Sequence, residues 1–351
     1  MPVSIVVGGQ FGSEGKGKVA LELARAAKEE NVTLVRVGGP NSGHTGYDAK
    51  GQRFALRQLP AGCIDRDVDV VFPAGSYLDV DVLFREIEEL DYPKDRLFIS
   101  RYARVIMPEH KTWETEAGIG KAIGSTGSGV GAAVMASVAR EAENFPLKSY
   151  DAEHVSQLDR FVCDTSALLR KQLLENTRVI IEGSQGFGLS LLEGGYWPKA
   201  TSRSTTASAA LSEAGLSPLD VDDIYLVLRS FPIRVAGQSS GPLPNETSWA
   251  KIAENVGRED DISEYTTVTK KLRRVGGFDC KQVRAAIAVN NPSKIVLNHL
   301  DYVGSAADMD RSCSRVARFV ADVEKGLERK IDFLGFSPFE MMKRLTSSVA
   351  W

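Results

Sequence analysis

A glycine-rich stretch near the start of the chain most constrains its fold. Residues 3–7 are apolar and partly β-branched, which predicts a buried strand. From Lys16 onward apolar residues recur at helical spacing. Five glycines lie between these segments, at Gly8, Gly9, Gly12, Gly15 and Gly17. Inward-facing backbone N–H groups and a following helix start attract anions, and Lys16 and Lys18 add positive charge. The stretch therefore predicts a phosphate cradle.

This cradle fits only part of the ordinary P-loop pattern. Gly12-x-x-x-x-Gly17-Lys18 matches its first part, but Val19 stands where Ser or Thr holds magnesium. A bound metal ion therefore requires other ligands. The alternative is a plain glycine-rich turn with solvated lysines. That alternative is disfavoured, because so many glycines cost backbone entropy that a plain turn would avoid.

Composition excludes several classes of protein. The chain has 351 residues, 43% of them hydrophobic and 25% charged, which is typical of a globular protein. We predict a single domain over residues 1–351. A net charge of −3 gives no reason to expect a nucleic-acid or membrane partner. We expect a cytoplasmic location, since we find no long apolar run or signal-peptide pattern. The four scattered cysteines are interpreted as reduced thiols.

Segments typical of strands and helices alternate, which predicts an α/β fold with a mostly parallel central sheet and a P-loop-like nucleotide-binding core. Beyond residues 3–7, the predicted strands are Thr33–Val37, Val68–Phe72, Leu97–Ser100, Arg178–Glu182, Ile224–Arg229 and Lys294–Asn298. The predicted helices after the one from Lys16 are Val80–Leu90, Ala132–Glu143, Leu158–Glu175, Cys280–Asn290 and Ser314–Glu328. Ligands of such sheets bind at the carboxyl ends of the strands.

Several loops beyond these strands carry polar groups. Residues 38–46 hold His44 among small polar residues, and residues 123–131 form a second glycine-rich run before a helix. Hydroxyls and amides at a helix start suit a phosphate monoester. Residues 265–276 place four cations behind several hydroxyls, which suits a small dicarboxylate. On composition alone, a solvated basic loop explains the last pattern equally well.

The stretch Gln-Phe-Gly-Ser-Glu-Gly-Lys-Gly-Lys from Gln10 resembles the Gln-Trp-Gly-Asp-Glu-Gly-Lys-Gly-Lys signature of the adenylosuccinate synthetase family. At least six motifs along most of the chain resemble that family in order. The resemblance implies a magnesium-dependent ligase that joins aspartate to C6 of a 6-oxopurine nucleotide through a 6-phosphoryl intermediate. It also implies a homodimer in which Arg140 reaches the partner's site.

The resemblance implies four groups of site residues. Catalysis would involve Ser13, Lys16, His44 and Gln185, with Ser13 and Gly43 as metal ligands. The purine nucleotide would contact Ser13, Asn41, Ser125, Thr126, Arg140, Gln185, Thr201 and Val235. The donor nucleotide would contact Gly12, Glu14, Gly15, Lys16, Gly17, Lys18, Gly43, His44, Thr45, Asn298, Leu300, Asp301 and Gly335. Aspartate would contact Thr267, Val268, Thr269, Lys271 and Arg273.

Several residues depart from the family pattern. Ser128 and Lys271 each stand where the family has Arg, and His299 stands where it has Lys beside the donor base. The segment after Tyr196 carries one inserted residue. Most important, Ser13 replaces the catalytic Asp, and a serine hydroxyl is a poor base near neutral pH.

The change at Ser13 leaves three interpretations. A shorter side chain leaves room for a group on C2 of the purine, and its oxygen can accept a hydrogen bond from an exocyclic amine. This change resembles the phage-type branch that joins L-aspartate to dGMP with ATP or dATP. That branch makes N6-succino-2-amino-2′-deoxyadenylate for 2-aminoadenine DNA, and a phage-encoded enzyme would act in the host cytoplasm. The other interpretations are an adenylosuccinate synthetase that uses IMP and GTP, and a catalytically silent nucleotide-binding protein.

Overall fold

The computed structural model describes residues 3–27, 30–65, 68–235, 237–266, 270–309, 311 and 313–344. The helices are α1 Lys16–Ala26, α2 Val80–Glu89, α3 Pro108–Glu116, α4 Ile119–Ile123, α5 Val130–Ala139, α6 Thr165–Leu174, α7 Ala207–Ala214, α8 Trp249–Val256, α9 Cys280–Asn290 and α10 Arg315–Leu327. The strands are β1 Val3–Gly8, β2 Val32–Arg36, β3 His44–Tyr47, β4 Arg53–Leu56, β5 Asp69–Phe72, β6 Tyr77–Leu78, β7 Leu97–Ser100, β8 Arg104–Val105, β9 Val162–Cys163, β10 Arg178–Glu182, β11 Val221–Arg229, β12 Ile233–Arg234, β13 Glu246–Thr247, β14 Arg274–Gly276, β15 Lys294–Asn298, β16 Phe333–Leu334 and β17 Met342–Lys343.

A ten-stranded sheet forms the centre of the molecule, in the order β17-β16-β15-β11-β1-β10-β2-β5-β7-β9. Every neighbouring pair is parallel except β16 and β17, which are antiparallel. The predicted α/β fold with a mostly parallel sheet is therefore confirmed. The chain after β11 forms a smaller sheet, in which β14 lies between β12 and β13.

Apolar side chains cover both faces of the central sheet, as expected when helices pack on each side. Along β1, Val3, Ile5 and Val7 face one core, which α6, α7, α9 and α10 cover. Val6 faces the other core, together with α1 and α2. Successive side chains of β1 point to opposite faces of the sheet, and both faces are covered. Every residue of this strand is therefore buried.

One helix prediction was wrong, and another had the wrong bounds. The segment predicted as one helix over Leu158–Glu175 contains a 3₁₀ turn, then β9, then α6. Asp164 interrupts it, because its carboxylate caps α6 by accepting from Ala167 N at 3.0 Å. The helix predicted over Ala132–Glu143 is α5, which starts at Val130 and ends at Ala139. Arg140 and Glu141 have left-handed φ values of 51° and 61°, which the helical pattern did not reveal.

The sheet brings five loops to one edge. Strands β15, β11, β1, β10 and β2 are consecutive neighbours, and their carboxyl ends lie on the same side because they are parallel. The glycine-rich loop of residues 9–15, which we call the phosphate loop, follows β1. The loop of His44 follows β2, and Gln185 follows β10. None of the described helices is both long enough and apolar enough to span a membrane.

Candidate active site

A cavity of about 1260 Å³ opens at this edge of the sheet. Its lining includes residues from the phosphate loop, from the loop after β2, from the second glycine-rich run and from the cationic segment within residues 265–276. The predicted site residues that line it are Gly12, Ser13, Lys16, Asn41, Gly43, His44, Ser125, Thr126, Gln185, Thr201, Val235, Lys271 and Arg273. The chain thus brings together residues that are up to 261 positions apart, as between Gly12 and Arg273.

The phosphate loop is held by its own carboxylate. Glu14 is fully buried, and its Oε1 accepts from Gly12 N at 2.7 Å and from Gln10 N at 3.1 Å. Its Oε2 pairs with Lys16 Nζ at 2.8 Å. Gly15 has a φ of 95°, which a side chain would strain. These contacts hold the loop in one shape and place Lys16 at the cavity wall.

His44 lies beside the phosphate loop in a buried charged cluster. Its Nδ1 hydrogen-bonds a Glu182 carboxylate oxygen and lies 3.1 Å from Arg36 Nη1. Burial, followed by the charge of Arg36, lowers the pKa of His44 to about 4, although Glu182 opposes this. Neutral His44 therefore donates from Nδ1 to Glu182. Its Nε2, which is 3.5 Å from Ser42 Oγ, can accept a proton or a hydrogen bond.

A polar wall surrounds the part of the cavity predicted to hold the purine nucleotide. Asn41 Nδ2 donates to Thr201 Oγ1 at 3.5 Å, which joins two separate loops. Thr126 Oγ1 and Ser128 Oγ are 2.8 Å apart in the second glycine-rich run. Gln185 has a left-handed φ of 63° directly beyond β10. These amides and hydroxyls can bind a purine edge and a phosphate.

The start of α5 is organised by Glu114 of α3. The buried carboxylate of Glu114 accepts from Gly129 N at 2.9 Å, Gly131 N at 2.8 Å and Ala132 N at 3.3 Å. Such contacts satisfy N–H groups that have no partner within the helix. Glu114 thereby fixes the run that carries Ser125 and Thr126.

The cationic segment is a hairpin whose stem contacts Ser13. Thr266 N donates to Lys271 O at 2.9 Å, and Arg273 N donates to Glu264 O at 2.8 Å. Arg273 Nη1 donates to Ser13 Oγ at 2.6 Å, while Lys271 is exposed at the cavity. The predicted aspartate contacts at Thr267, Val268 and Thr269 lie outside the described residues.

The residues predicted to bind the donor base lie behind the phosphate loop. The side chain of Asn298 donates to Glu14 O at 2.9 Å, and Gly335 packs against Asn298. Lys18 Nζ donates to Ser337 O and Glu340 O at 3.0 and 3.2 Å. Burial lowers the pKa of Lys18 to about 8, although the carboxylate of Asp301 opposes this. The residues in these donor-nucleotide predictions that do not line the cavity are Glu14, Gly15, Gly17, Lys18, Thr45, Asn298, Leu300, Asp301 and Gly335.

Arg140 lies apart from the cavity. It is exposed and caps α5 at a left-handed φ of 51°. Its role as a ligand of the nucleotide therefore requires a second copy of the chain.

The two predicted metal ligands fit magnesium unequally. Magnesium prefers oxygen ligands, which a carbonyl and a hydroxyl can provide. The exposed Gly43 lies at the cavity beside His44, so its carbonyl suits this role. Ser13 Oγ suits it less well, because it already accepts a hydrogen bond from the Arg273 guanidinium.

Comparison with known proteins identifies the family. The adenylosuccinate synthetase family model matches residues 5–145 and 146–312. The chain belongs to the adenylosuccinate synthetase family. It is 36% identical to the adenylosuccinate synthetase of Pyrococcus sp. strain ST700 over 334 residues, which are 93% of each chain. The enzyme of Thermococcus onnurineus is 37% identical over 333 residues, again 93% of each.

Two solved structures are similar over nearly the whole chain. The succinoaminodeoxyadenylate synthetase of cyanophage S-2L, solved with dGMP and with dATP as an energy donor, is 29% identical with a TM-score of 0.79. The match covers 98% of this chain and 96% of that one. The fully ligated adenylosuccinate synthetase from Plasmodium falciparum has a TM-score of 0.80 at 22% identity, covering 98% and 99%, and supports the fold.

Family membership makes the chain a C–N ligase of purine nucleotide synthesis, with a nucleotide and aspartate as substrates. The sequence interpretation gave no role to several charged residues at the site. Glu182 and Arg229 end strands β10 and β11, so their position beside the ligand-binding edge was a usable signal. Glu114 and Glu264 had no such signal, because only the tertiary fold brings them to Gly129 and Arg229.

Proposed function

We propose that this chain joins L-aspartate to C6 of dGMP, driven by hydrolysis of ATP or dATP. The product is N6-succino-2-amino-2′-deoxyadenylate, a precursor of 2-aminoadenine in DNA. In this proposal O6 of the guanine attacks the γ-phosphoryl group, and the aspartate amine then displaces phosphate from C6. This activity would place the chain in the phage-type branch of the family.

The environment of Ser13 carries the proposal. Ser13 lines the cavity where the family has Asp, and its hydroxyl contacts a guanidinium. Among the described residues that line the cavity, the carboxylates are Glu114 and Glu116. The Glu114 carboxylate already accepts hydrogen bonds from N–H groups at the start of α5. A small hydroxyl leaves space at C2 of the purine. Its remaining lone pair can accept a hydrogen bond from the 2-amino group of guanine.

The cyanophage S-2L structure supports the same substrate and donor. That protein is bound to dGMP and dATP, and its similarity covers 98% of this chain. The 2′-deoxyribose and the adenine donor in our proposal rest on this similarity. The archaeal relatives at 36–37% identity are adenylosuccinate synthetases, so they favour a second candidate, which is the use of IMP and GTP.

The proposed roles follow from the geometry and charge of the side chains. Lys16 and Gln185 would stabilise charge on the γ-phosphoryl group and O6. A phosphoryl group beside His44 would raise its pKa from about 4 and favour donation from Nε2. Asn41, Thr201 and the hydroxyls of Ser125 and Thr126 would hold the purine nucleotide, beside Val235.

The remaining partners are proposed in the same way. Lys271 and Arg273 would bind the carboxylates of aspartate. Magnesium, held through the Gly43 carbonyl and the donor phosphates, would neutralise charge on the transferring group. We also propose a homodimer, in which Arg140 of one subunit binds the nucleotide phosphate of its partner.

One assay separates the candidate functions. The protein is incubated with aspartate, magnesium and dGMP, GMP or IMP, each with ATP, dATP or GTP. Phosphate release and the mass of the succinylated product are then followed. Product from dGMP supports the proposal, and product from IMP alone selects the second candidate. Absence of product with every pair indicates a silent nucleotide-binding protein, which the intact Glu14–Lys16 pair disfavours.

Substitution of Ser13 tests the steric argument directly. We expect Ser13→Asp to lower kcat/KM for dGMP at least about tenfold, because the carboxylate would crowd and desolvate the 2-amino edge. The matched variant is Ser13→Asn, since an asparagine side chain has nearly the size of aspartate but no charge. It should also lose activity on dGMP. Turnover of dGMP that survives both substitutions would contradict the proposed contact.

A further inference from the structure

Arg229 is a buried cation that contacts two parts of the site. It ends β11 with a fully buried side chain, and its Nη1 donates to Ser13 O at 3.0 Å. Its Nη2 donates to Glu264 Oε1 at 2.5 Å. Gln10 fixes the Arg229 backbone, since Gln10 Oε1 accepts from Arg229 N and Gln10 Nε2 donates to Arg229 O. Arg229 is therefore tied to the phosphate loop by both backbone and side chain.

Four residues close a ring of hydrogen bonds between the phosphate loop and the cationic hairpin. Arg229 joins Ser13 to Glu264, Glu264 O accepts from Arg273 N at 2.8 Å, and Arg273 Nη1 returns to Ser13 Oγ. We call Ser13, Arg229, Glu264 and Arg273 the Ser13 ring. Ser13 is held at both its carbonyl and its hydroxyl, with a left-handed φ of 58°.

The charges of the ring make it stiff. Burial would raise the pKa of Glu264, but the charge and hydrogen bond of Arg229, together with His299 and Arg273, outweigh burial and lower this pKa to about 2. Tyr302 OH also donates to Glu264 Oε1, at 3.0 Å, and so fixes the carboxylate. A buried guanidinium that lost this carboxylate would have an uncompensated charge. Arg229 and Glu264 therefore keep one arrangement.

We propose that Arg229 is a positioning residue that couples the Ser13 end of the cavity to the cationic hairpin. Arg229 fixes the position of the Ser13 hydroxyl by its hydrogen bond to the Ser13 carbonyl. Through Glu264 it also fixes the position of the hairpin stem from which Arg273 extends. The affinity for aspartate thus depends on the same residue that orients Ser13. The inference rests on the proposed function only for what Ser13 and Arg273 bind.

The test uses Arg229→Lys, because lysine keeps the charge but has one ammonium group in place of a two-branched guanidinium. KM for aspartate is measured for the unchanged enzyme, Arg229→Lys, Ser13→Ala and the double variant. We expect Arg229→Lys to raise this KM at least about tenfold, with a smaller change in KM for the donor nucleotide. Calorimetry replaces kinetics where turnover is too slow.

Coupling predicts that the two substitutions are not additive. The aspartate KM of the double variant should be close to that of the weaker-binding single variant. An aspartate KM within twofold of the unchanged enzyme for folded Arg229→Lys would overturn the proposal. So would a double variant whose fold-change equals the product of the two single fold-changes.

Two further variants control for stability. Arg170→Lys weakens another two-branched ion pair. In this pair Arg170 Nη1 and Nη2 donate to the Asp220 carboxylate at 2.8 and 2.7 Å, and neither residue lines the cavity. It should leave KM for aspartate unchanged. If Arg229→Lys does not fold, Tyr302→Phe removes one hydrogen bond to Glu264, and an unchanged aspartate KM in that variant would overturn the proposal.

Failure of the proposed function would be seen separately. It would show as succinylated product from IMP alone in the unchanged enzyme. The aspartate measurements would then be made with IMP, and they would still decide the role of Arg229.

Discussion

His299 occupies a half-buried position where a positive charge is costly. Burial, followed by the charge of Arg229, lowers its pKa to about 3, with Lys18 adding to this and Glu264 opposing it. An imidazole in the unfolded chain titrates near pH 6.5. Below that pH the unfolded chain binds a proton that the folded chain does not, so the free energy of unfolding decreases as pH falls.

We therefore expect His299→Asn to make the protein less sensitive to acid. Asparagine tolerates the left-handed φ of 60° at this position. Between pH 6 and pH 4 the slope of unfolding free energy against pH should decrease by about 1.4 kcal/mol per pH unit. Urea denaturation at several pH values measures this slope. An unchanged slope in His299→Asn would contradict the interpretation.

Residue identities predicted the nature of the site better than its internal contacts. The glycine-rich stretch predicted the phosphate loop, and Ser13, His44 and Gln185 do line one cavity. The sequence did not predict that Arg273 binds the Ser13 hydroxyl, because a pairing between residues 260 positions apart leaves no local pattern. Lys18 was treated like Lys16, yet its ammonium group points to the carbonyls of Ser337 and Glu340.

At the level of elements, α5 depends on a carboxylate from a different helix. Glu114 of α3 satisfies three N–H groups at the start of α5, where Gly129 has a φ of 78°. A glutamine there has a single acceptor oxygen, and its NH₂ group would face N–H donors. The preceding run with Ser125 and Thr126 would then lose its anchor.

We expect Glu114→Gln to raise KM for the purine monophosphate about tenfold and to lower the free energy of unfolding by about 1–3 kcal/mol. Steady-state kinetics and urea denaturation measure the two effects. Glu109→Gln is the matched control, because Glu109 lies on the same helix but is exposed and contacts Tyr150 OH. Equal effects in both variants would mean that capping is not the cause.

Three strands and one helix have the bounds that the sequence predicted. The strands Leu97–Ser100, Arg178–Glu182 and Lys294–Asn298 and the helix Cys280–Asn290 have the predicted bounds. The prediction over Leu158–Glu175 failed because an apolar spacing cannot show where Asp164 restarts a helix. Pairing of Ile99 and Ser100 with β9 is a tertiary contact that overrides the local pattern.

For the whole molecule, the position of Arg140 bears on assembly. Its exposure at the end of α5 fits a residue that completes the cavity of a second subunit. In a two-fold symmetric dimer each chain would contribute its Arg140 to the partner. We therefore expect Arg140→Ala to impair the enzyme without unfolding it.

Mixed dimers provide the measurement. Arg140→Ala and Lys16→Ala homodimers should each be nearly inactive. In a mixed dimer one cavity carries both changes and the other carries neither. Since about half of the dimers formed by random co-expression are mixed, about a quarter of the unchanged activity should return in the whole population. Recovery that is absent, or a single Arg140→Ala variant with full activity, would argue against a shared site. Sedimentation of the purified protein establishes the number of subunits.

The central place of β1 has a consequence for biosynthesis. This strand is synthesised before both of its hydrogen-bonding neighbours, which lie far along the sequence at residues 178–182 and 221–229. In the nascent chain this apolar strand therefore has neither of these neighbours until residues 178–182 of β10 have been made. The catalytic loop that β1 carries can take its final shape only late, after the downstream strands have added themselves on either side.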